Sequence, residues 1–298
     1  MTTTMEPRRA ATGTPAPAAG TQRTWRIAPT KAEIDPIGHA RRLRTQKILL
    51  GVSLPVVLIV LWQIAAQLQW IDRRFFPGPI EIAQAAVDMV ASGQWFGDVL
   101  ATLRTILIAT AAGFVVGSLL GIVMGSLSKL RYVAEPTLSA FYTIPKIALL
   151  PLMLLIFGIG DMPGYLLVAL GVFFIAWISA LEAVLAVPVG YREAAEAFGV
   201  SRLRRFGHVT IPAVLPAIIV ALRISIGQAV LIVIMVEYLM GKEGIGYRIW
   251  HAWSLFDADT MYVGIVTVAL LGYVLQLLVK VVGAKLVPWS GGTSAAEK

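Results

Sequence analysis

The stretch VLATLRTILIATAAGFVVGSLLGIVMG, residues 99–125, is an apolar segment of the kind that crosses a lipid bilayer. A membrane-spanning helix needs about 20 predominantly apolar residues, and this segment exceeds that length. Its glycines recur every fourth residue, at Gly113, Gly117, Gly121 and Gly125. This repeat aligns them on one helix face, where a neighbouring backbone can approach closely. The segment therefore predicts a transmembrane helix that packs tightly against a second one.

Five further segments have the length and apolar character of membrane spans. They lie near residues 48–68, 134–157, 163–187, 212–240 and 261–287. The chain is therefore predicted to be an all-α integral membrane protein with about six transmembrane helices. Between the first two spans, residues 80–90 predict a short amphipathic helix with Pro79 at its first position. We expect this helix to lie at an interface and not to cross the membrane.

The composition agrees with a membrane protein and excludes other classes. Hydrophobic residues make up 57% of the chain and charged residues 14%, whereas soluble domains are about half apolar and about a quarter charged. The net charge of +8 does not indicate a nucleic-acid-binding protein, because the basic residues flank apolar runs and form no solvated basic face. Cysteine is absent, which excludes disulfides, thiol nucleophiles and cysteine-ligated zinc.

The chain divides into three parts, which are an N-terminal tail, a transmembrane domain and a C-terminal tail. Residues 1–47 are rich in Ala, Pro, Thr, Gly and Arg, and such a composition buries too little apolar surface to fold. We predict a disordered N-terminal tail there, a transmembrane domain over residues 48–289, and a C-terminal tail over residues 290–298.

The distribution of Lys and Arg predicts the orientation, because positive residues of short loops are retained on the cytoplasmic side. With the N-terminus inside, that side holds Arg41, Arg42, Arg44, Lys47, Lys129, Arg131, Arg192, Arg202, Arg204, Arg205 and Lys285. The other side then holds only Arg73, Arg74, Lys242 and Arg248. Both termini are therefore predicted to be cytoplasmic.

Ionisable residues within the apolar spans are candidates for a translocation pathway. The third span carries Pro145 and Pro151 around Lys146, which predicts a kinked helix that faces a cavity. Glu182, Arg223 and Glu237 also fall in or beside spans, where such groups usually face the bundle interior and pair with one another. Two interpretations stay open: a pathway or gate formed by Lys146, Arg223 and Glu237, or structural ion pairs and side chains that reach the interface.

The loop at residues 188–211 carries the most informative pattern. Glu193-Ala194-Ala195 is followed by Gly199 and then by Val209 and Ile211-Pro212. We predict a short helix over residues 191–198, a sharp turn at Gly199 and a second short helix capped by Ser201. Together they would form a compact cytoplasmic knob.

This pattern resembles the cytoplasmic signature of the permease subunits of ABC importers. That signature is Glu-Ala-Ala, three residues, Gly, nine residues, an aliphatic residue, one residue, then Leu-Pro, and here Val209 and Ile211 replace the usual Ile and Leu. The resemblance covers about residues 48–289 and implies a type I ABC importer permease fold. In that family the loop fits a cleft on the ATPase subunit, and we therefore call residues 188–211 the coupling loop. The residues that this implies for ATPase coupling are Glu193, Ala194, Ala195, Phe198, Gly199, Arg202, Leu203 and Arg205.

Three further stretches resemble the branch of this family that imports nitrate, taurine, aliphatic sulfonates and related molecules. They are Phe76-Pro77-Gly78-Pro79, residues 145–151 with Phe157-Gly158-Ile159-Gly160, and residues 237–259. The resemblance implies a bacterial inner-membrane protein that imports a small, anionic solute by alternating access. The implied partners are a pair of ABC ATPase subunits, a periplasmic or lipid-anchored substrate-binding protein, a second permease copy and membrane lipid.

Motifs that are missing from the sequence limit the chemistry of the chain. It contains no Gly-x-x-x-x-Gly-Lys-Ser/Thr loop, so it has no means of cradling nucleotide phosphates. We expect no enzymatic activity and no cofactor, with ATP bound by a partner subunit. His39, His208 and His251 lie in separate segments, so no metal site is expected. The alternative function is a stand-alone secondary transporter, which needs its own coupling-ion site and often has inverted repeats.

Overall fold

The computed structural model describes residues 36–290, which are helical with short connections and contain no strand. The helices are α1 (Pro36–Gln67), α2 (Pro79–Ala91), α3 (Gln94–Ser126), α4 (Ser128–Tyr142), α5 (Leu150–Phe157), α6 (Asp161–Leu185), α7 (Val189–Ala197), α8 (Arg202–Arg205), α9 (Ile211–Met240), α10 (Ile245–Ser254) and α11 (Ala258–Leu286). Short 3-10 turns cover Lys146–Leu149 and Pro288–Ser290, and a π-helical turn covers Phe206–Thr210. Residues 36–47, placed in a disordered tail by the sequence, are the helical start of α1. The rest of both predicted tails lies outside the described residues, apart from Ser290.

Five helical segments are long and apolar enough to cross a membrane: Thr45–Gln67, Gln94–Ser126, Asp161–Leu185, Arg202–Met240 and Ala258–Leu286. The predicted third span passes the same test only as the pair Ser128–Tyr142 and Lys146–Phe157, which is bent by 87°. The predicted bend around Lys146 is therefore present, but the helix is broken there and not only kinked. Pro145 lacks a backbone donor and disfavours helical geometry at the residue before it. Pro151 lies in the first turn of α5, where proline is tolerated.

Helices α3 and α6 run parallel and pack backbone against backbone. A Cβ added at any glycine of the four-residue repeat would overlap an atom of α6. The pairs are Gly113 with Ala169, Gly117 with Phe173, Gly121 with Trp177 and Gly125 with Val184. Residue numbers rise together along both helices, so their directions agree. The predicted packing role of the glycine repeat is confirmed.

The bent pair α4–α5 returns the chain from one end of the bundle to the other. Since α3 and α6 are parallel, the segment between them must lead from the end of α3 to the beginning of α6. Counting this pair as one crossing gives the six spans that the sequence predicts. Helix α9 runs antiparallel to α6, with Ile232 against Gly171 and Val236 against Gly164. Helix α11 runs antiparallel to α9, with Gly283 against Ile219 and Gln276 against Gly227.

The two ends of the bundle are therefore distinct. One end holds the beginnings of α3, α6 and α11 and the end of α9, and we call it the cavity end. The opposite end holds the coupling loop between α6 and α9, and we call it the loop end.

The chain divides into two compact units, and the boundary lies within α1, between Leu58 and Ile59. In the larger unit, the predicted amphipathic helix is present as α2, with Pro79 in its first turn. Gln63 Oε1 accepts a hydrogen bond from the Ile80 backbone N–H at 3.0 Å and so fixes the beginning of α2. The apolar face of α2 buries Ile82 and Met89.

Candidate functional site

The coupling loop folds into two short helices, α7 and α8, joined at Gly199. The Gly199 φ angle is +71°, a left-handed conformation that glycine adopts at little cost. Backbone bonds from Gly199 N to Glu196 O (2.9 Å) and from Val200 N to Ala195 O (3.0 Å) close the end of α7. The predicted turn is therefore present. Ser201 occupies the cap position of α8, but its side chain makes no capping hydrogen bond, so that detail of the prediction was wrong.

The apolar side chains of this loop point away from the protein. Phe198, just before the Gly199 turn, is 86% exposed, and Leu203, after the turn, is 83% exposed. Ala195 is buried, and Arg205 donates a hydrogen bond to Glu196 Oε1 across the two helices. The remaining predicted coupling residues, Glu193, Ala194 and Arg202, are exposed. Exposed apolar groups ringed by polar ones are typical of a protein interaction site.

Lys146 lies in the break between α4 and α5. Its ammonium group donates hydrogen bonds to the carbonyl oxygens of Tyr142 (2.6 Å), Ile144 (2.7 Å) and Phe141 (3.3 Å). It also lies 4.6 Å from the ring centroid of Phe174, a favourable cation–π distance. The break leaves the Tyr142 carbonyl at the end of α4 without a helical partner, and Lys146 provides a donor for it.

The other membrane charges do not form the predicted pairs. Among residues 36–290, no ion pair within 4.0 Å joins Lys146, Glu182, Arg223 or Glu237 to another residue. Glu182 is exposed near the end of α6. Arg223 is exposed on α9 between Val220 and Ile224, which are 58% and 56% exposed. Arg223 is thus a cation on an apolar helix face that this chain leaves uncovered.

Glu237 belongs to a buried polar network at the cavity end. Its Oε2 accepts hydrogen bonds from the Thr102 hydroxyl and from the Gly246 backbone N–H, both at 2.9 Å. Thr102 Oγ1 accepts from the Ile245 N–H at 2.9 Å. Asp98 accepts from Gly244 N–H at 3.3 Å and from Arg248 Nε at 2.7 Å. The network binds the amino end of α10 to α3, where backbone N–H groups favour negative charge.

A cavity of about 590 Å³ opens beside this network, and we call it the polar cavity because five charged residues line it. Its wall comes from one face of α3, the beginning of α6, and the end of α9 with the loop that follows. The ionisable residues that line it are Arg104, Asp161, Glu237, Lys242 and Glu243. Of the predicted pathway residues, only Glu237 lines this cavity. In the described part of the chain, no group of three His, Cys, Asp or Glu side chains is arranged to hold a metal ion.

Sequence reasoning missed Asp98, Thr102 and Arg104. The predicted span began at residue 99, which left Asp98 outside, and Arg104 was the sole cation within it. The spacing of four between Asp98 and Thr102 would have indicated a polar helix face. Their partners lie more than 130 residues away along the chain, and no local pattern indicates such contacts.

Comparisons with known proteins give consistent matches. Residues 113–288 match the protein family described as binding-protein-dependent transport system inner membrane component. The taurine transport system permease protein TauC of Escherichia coli K12 is 30% identical over 264 residues, covering 85% of this chain and 96% of TauC. The aliphatic sulfonates transport permease protein SsuC of Bacillus subtilis 168 is 29% identical over 243 residues, covering 80% of this chain and 87% of SsuC.

Among solved structures, the MetNI methionine ABC transporter in an inward facing conformation matches with a TM-score of 0.55. The match covers 63% of this chain and 91% of the compared chain, at 24% sequence identity. At that identity the similarity establishes the fold, which is the predicted type I permease fold.

Proposed function

Because this chain belongs to the family of binding-protein-dependent transport system inner membrane components, and is the transmembrane permease subunit of an ABC importer, we propose that it imports a small sulfonate or related anion. The similarity to TauC and SsuC supports this class of solute. The chain is a multi-pass inner-membrane transport component and not an enzyme, and it works with an ATPase and a substrate-binding protein. ATP is bound and hydrolysed by the ATPase partner. A stand-alone secondary transporter is not favoured, since the relatives are permease subunits.

The exposure of Phe198 and Leu203 is the observation that supports ATPase coupling most directly. Burying apolar surface in a partner's cleft contributes about 25 cal/mol per Å². Phe198 and Leu203 lie within four residues of the Gly199 turn, and in this proposal both insert into one partner. Glu193 and Arg202 supply charges at the rim, where they favour one docking orientation.

Two copies of the chain form the translocation pathway in this proposal. The exposed face of α9 carries Arg223 among apolar side chains, and a charge there is costly unless it meets water, a solute or a second protein chain. Arg223 is a better candidate than Lys146 for contacting an anion, because the Lys146 ammonium group already donates to three carbonyls. Glu237 would act at the cavity end, either as part of a gate or as the anchor of α10.

The proposed orientation places both termini and the loop end in the cytoplasm. Lys129 and Arg131 begin the bent pair, and the basic coupling loop follows α6. Both groups of positive charge then lie on the side that retains them. The cavity end faces the periplasm, where the binding protein delivers solute.

A pair of matched variants tests the coupling role. Phe198→Ala removes an exposed side chain at the loop end, and Phe256→Ala removes one that is 83% exposed at the cavity end. We expect Phe198→Ala to reduce co-purification of the ATPase and ATP-driven uptake of taurine or ethanesulfonate. Phe256→Ala should retain the ATPase, because it lies at the opposite end of the bundle.

A second pair of variants tests the turn at Gly199. Gly199→Ala places a Cβ at φ +71°, which costs about 1–2 kcal/mol, whereas Gly190→Ala lies in α7 with open space around it. Coupling should fall only in Gly199→Ala. Wild-type ATPase binding and uptake in both Phe198→Ala and Gly199→Ala would refute the coupling assignment.

A further inference from the structure

The polar cavity brings together charges of both signs that have no ion-pair partner. Arg104 and Lys242 are the cations, and Asp161 and Glu243 are the anions at its rim. In residues 36–290, none of the four forms an ion pair within 4.0 Å. All four are exposed, so water solvates them when the cavity is empty. A ligand that carries both charges could pair with both kinds of side chain at once.

In addition to the four exposed charges, the cavity is lined by one buried ionisable residue, Glu237. Its side chain is only 8% exposed, yet it lines the cavity. Oε2 accepts both hydrogen bonds of the buried network, from Thr102 and Gly246, and neither of these residues lines the cavity. Oε1 takes part in none of the hydrogen bonds found within the described chain. This oxygen is not among the buried atoms that lack a partner, so it is accessible from the cavity. A bound ammonium group could therefore donate a charge-assisted hydrogen bond to it.

The shape of the wall also suits a small ligand. Arg104 lies on the same face of α3 as Gly97 and Ala101, and that face looks across the cavity toward α9. Glu237 and Lys242 come from the α9 side. Small-molecule sites usually have volumes of about 300–1,000 Å³, and this cavity falls in that range. Tyr165 and Thr105 add neutral polar groups to the wall.

We propose that the polar cavity is a binding subsite for a small zwitterion, with Glu237 Oε1 accepting its ammonium group and Arg104 and Lys242 binding its anionic group. The inference rests on the proposed function and narrows its solute class from small anions to molecules that also carry an amine. Arginine binds a sulfonate or carboxylate through paired N–H donors, which fixes the ligand's orientation. A simple anion leaves Glu237 Oε1 unpaired and meets repulsion from the carboxylates.

Direct binding to the permease tests the proposal. The permease–ATPase complex is placed in lipid nanodiscs without the binding protein, and radiolabelled taurine binding is measured by equilibrium dialysis. Ethanesulfonate, which lacks the amine, and β-alanine, which replaces sulfonate by carboxylate, serve as competitors. We expect β-alanine to compete with taurine, and ethanesulfonate to compete at least about tenfold more weakly.

Substitutions of Arg104 and Glu237 test whether these residues bind taurine. Arg104→Gln should weaken taurine binding about tenfold or more. Glu237→Gln keeps an acceptor oxygen for Thr102 and Gly246, so α10 should stay anchored, while the preference for taurine over ethanesulfonate should disappear. Arg74→Gln is the matched control, since Arg74 is an exposed cation paired locally with Asp72 and lies outside the cavity. Co-purification with the ATPase reports whether each variant folds.

Three outcomes would overturn the inference: no taurine binding by the complex, equal competition by taurine and ethanesulfonate, or the same affinity in Arg104→Gln and Arg74→Gln. Uptake with the binding protein separates this failure from failure of the proposed function. Import of ethanesulfonate by a complex that shows no zwitterion preference would leave the proposed function standing and remove the subsite. If the complex hydrolyses ATP but imports no sulfonate, the proposed solute class is wrong, and the competition of β-alanine against labelled taurine then decides the zwitterion subsite.

Discussion

Replacing Thr102 by valine should destabilise the attachment of α10 to α3. Valine has nearly the same shape as threonine but lacks the hydroxyl that donates to Glu237 and accepts from Ile245 N–H. A hydrogen bond contributes about 0.5–1.5 kcal/mol, or about 0.6 kcal/mol between membrane helices. The variant also leaves the buried Ile245 N–H without an acceptor, at a cost of about 1–3 kcal/mol. We expect the free energy of unfolding to fall by about 2 kcal/mol, roughly a thirtyfold change in the equilibrium constant.

Thr110→Val provides a control in the same helix. Thr110 is buried, and its hydroxyl has no hydrogen-bond partner in the described structure. Removing that hydroxyl should leave the free energy of unfolding unchanged or raise it, because a buried unpaired polar group is lost. The assay is reversible denaturant-driven unfolding of both variants and the wild type in mixed micelles, monitored by tryptophan fluorescence. Equal free energies for Thr102→Val and Thr110→Val would refute the assignment of a stabilising role to the network.

Three other predictions test the packing, the helix break and the topology. Gly117→Val should abolish the yield of monodisperse protein, because its side chain meets the Phe173 carbonyl, whereas Gly51→Val has open space and should be tolerated; equal yields would contradict the close packing. Lys146→Met should lower the unfolding temperature by removing the donors to three carbonyls, while Lys146→Arg should restore part of the loss; unchanged stability of Lys146→Met would remove its structural role. The chain has no cysteine, so single replacements report topology directly. Asp161→Cys should react with an impermeant reagent from outside and Ser201→Cys only after permeabilisation, and a reporter fused after Lys298 should be cytoplasmic; the reverse pattern would overturn the orientation.

The sequence predicted the features that depend on local patterns. Apolar length determines where a span can lie, and the Gly113 to Gly125 repeat predicted a close helix contact because glycine spacing alone defines one helix face. The spacing from Glu193 to Pro212 predicted the family and the two short helices of the coupling loop. Gly199 was predicted as a turn from its identity and place in that pattern, and its positive φ agrees.

The features that the sequence did not predict depend on long-range geometry. Two prolines around Lys146 indicate a disturbed helix, but the extent of the disturbance depends on what replaces the lost hydrogen bonds. Here the Lys146 side chain replaces them, so the chain turns by 87° where only a kink was expected. The pairing expected among membrane charges also failed, because Glu237 found uncharged donors in Thr102 and Gly246. Backbone N–H groups and hydroxyl groups carry no charge, so the distribution of charged residues in the sequence could not indicate them as donors to Glu237.

Helix α6 begins at Asp161 on the rim of the polar cavity and ends at Leu185, shortly before helix α7 begins. Its 25 residues form a rod of about 37 Å. Because the glycine repeat of α3 holds this rod against its parallel neighbour, α6 has little freedom to slide or bend by itself. If the ATPase docks on the coupling loop as proposed, a displacement at the loop end would be carried along both helices to the cavity rim.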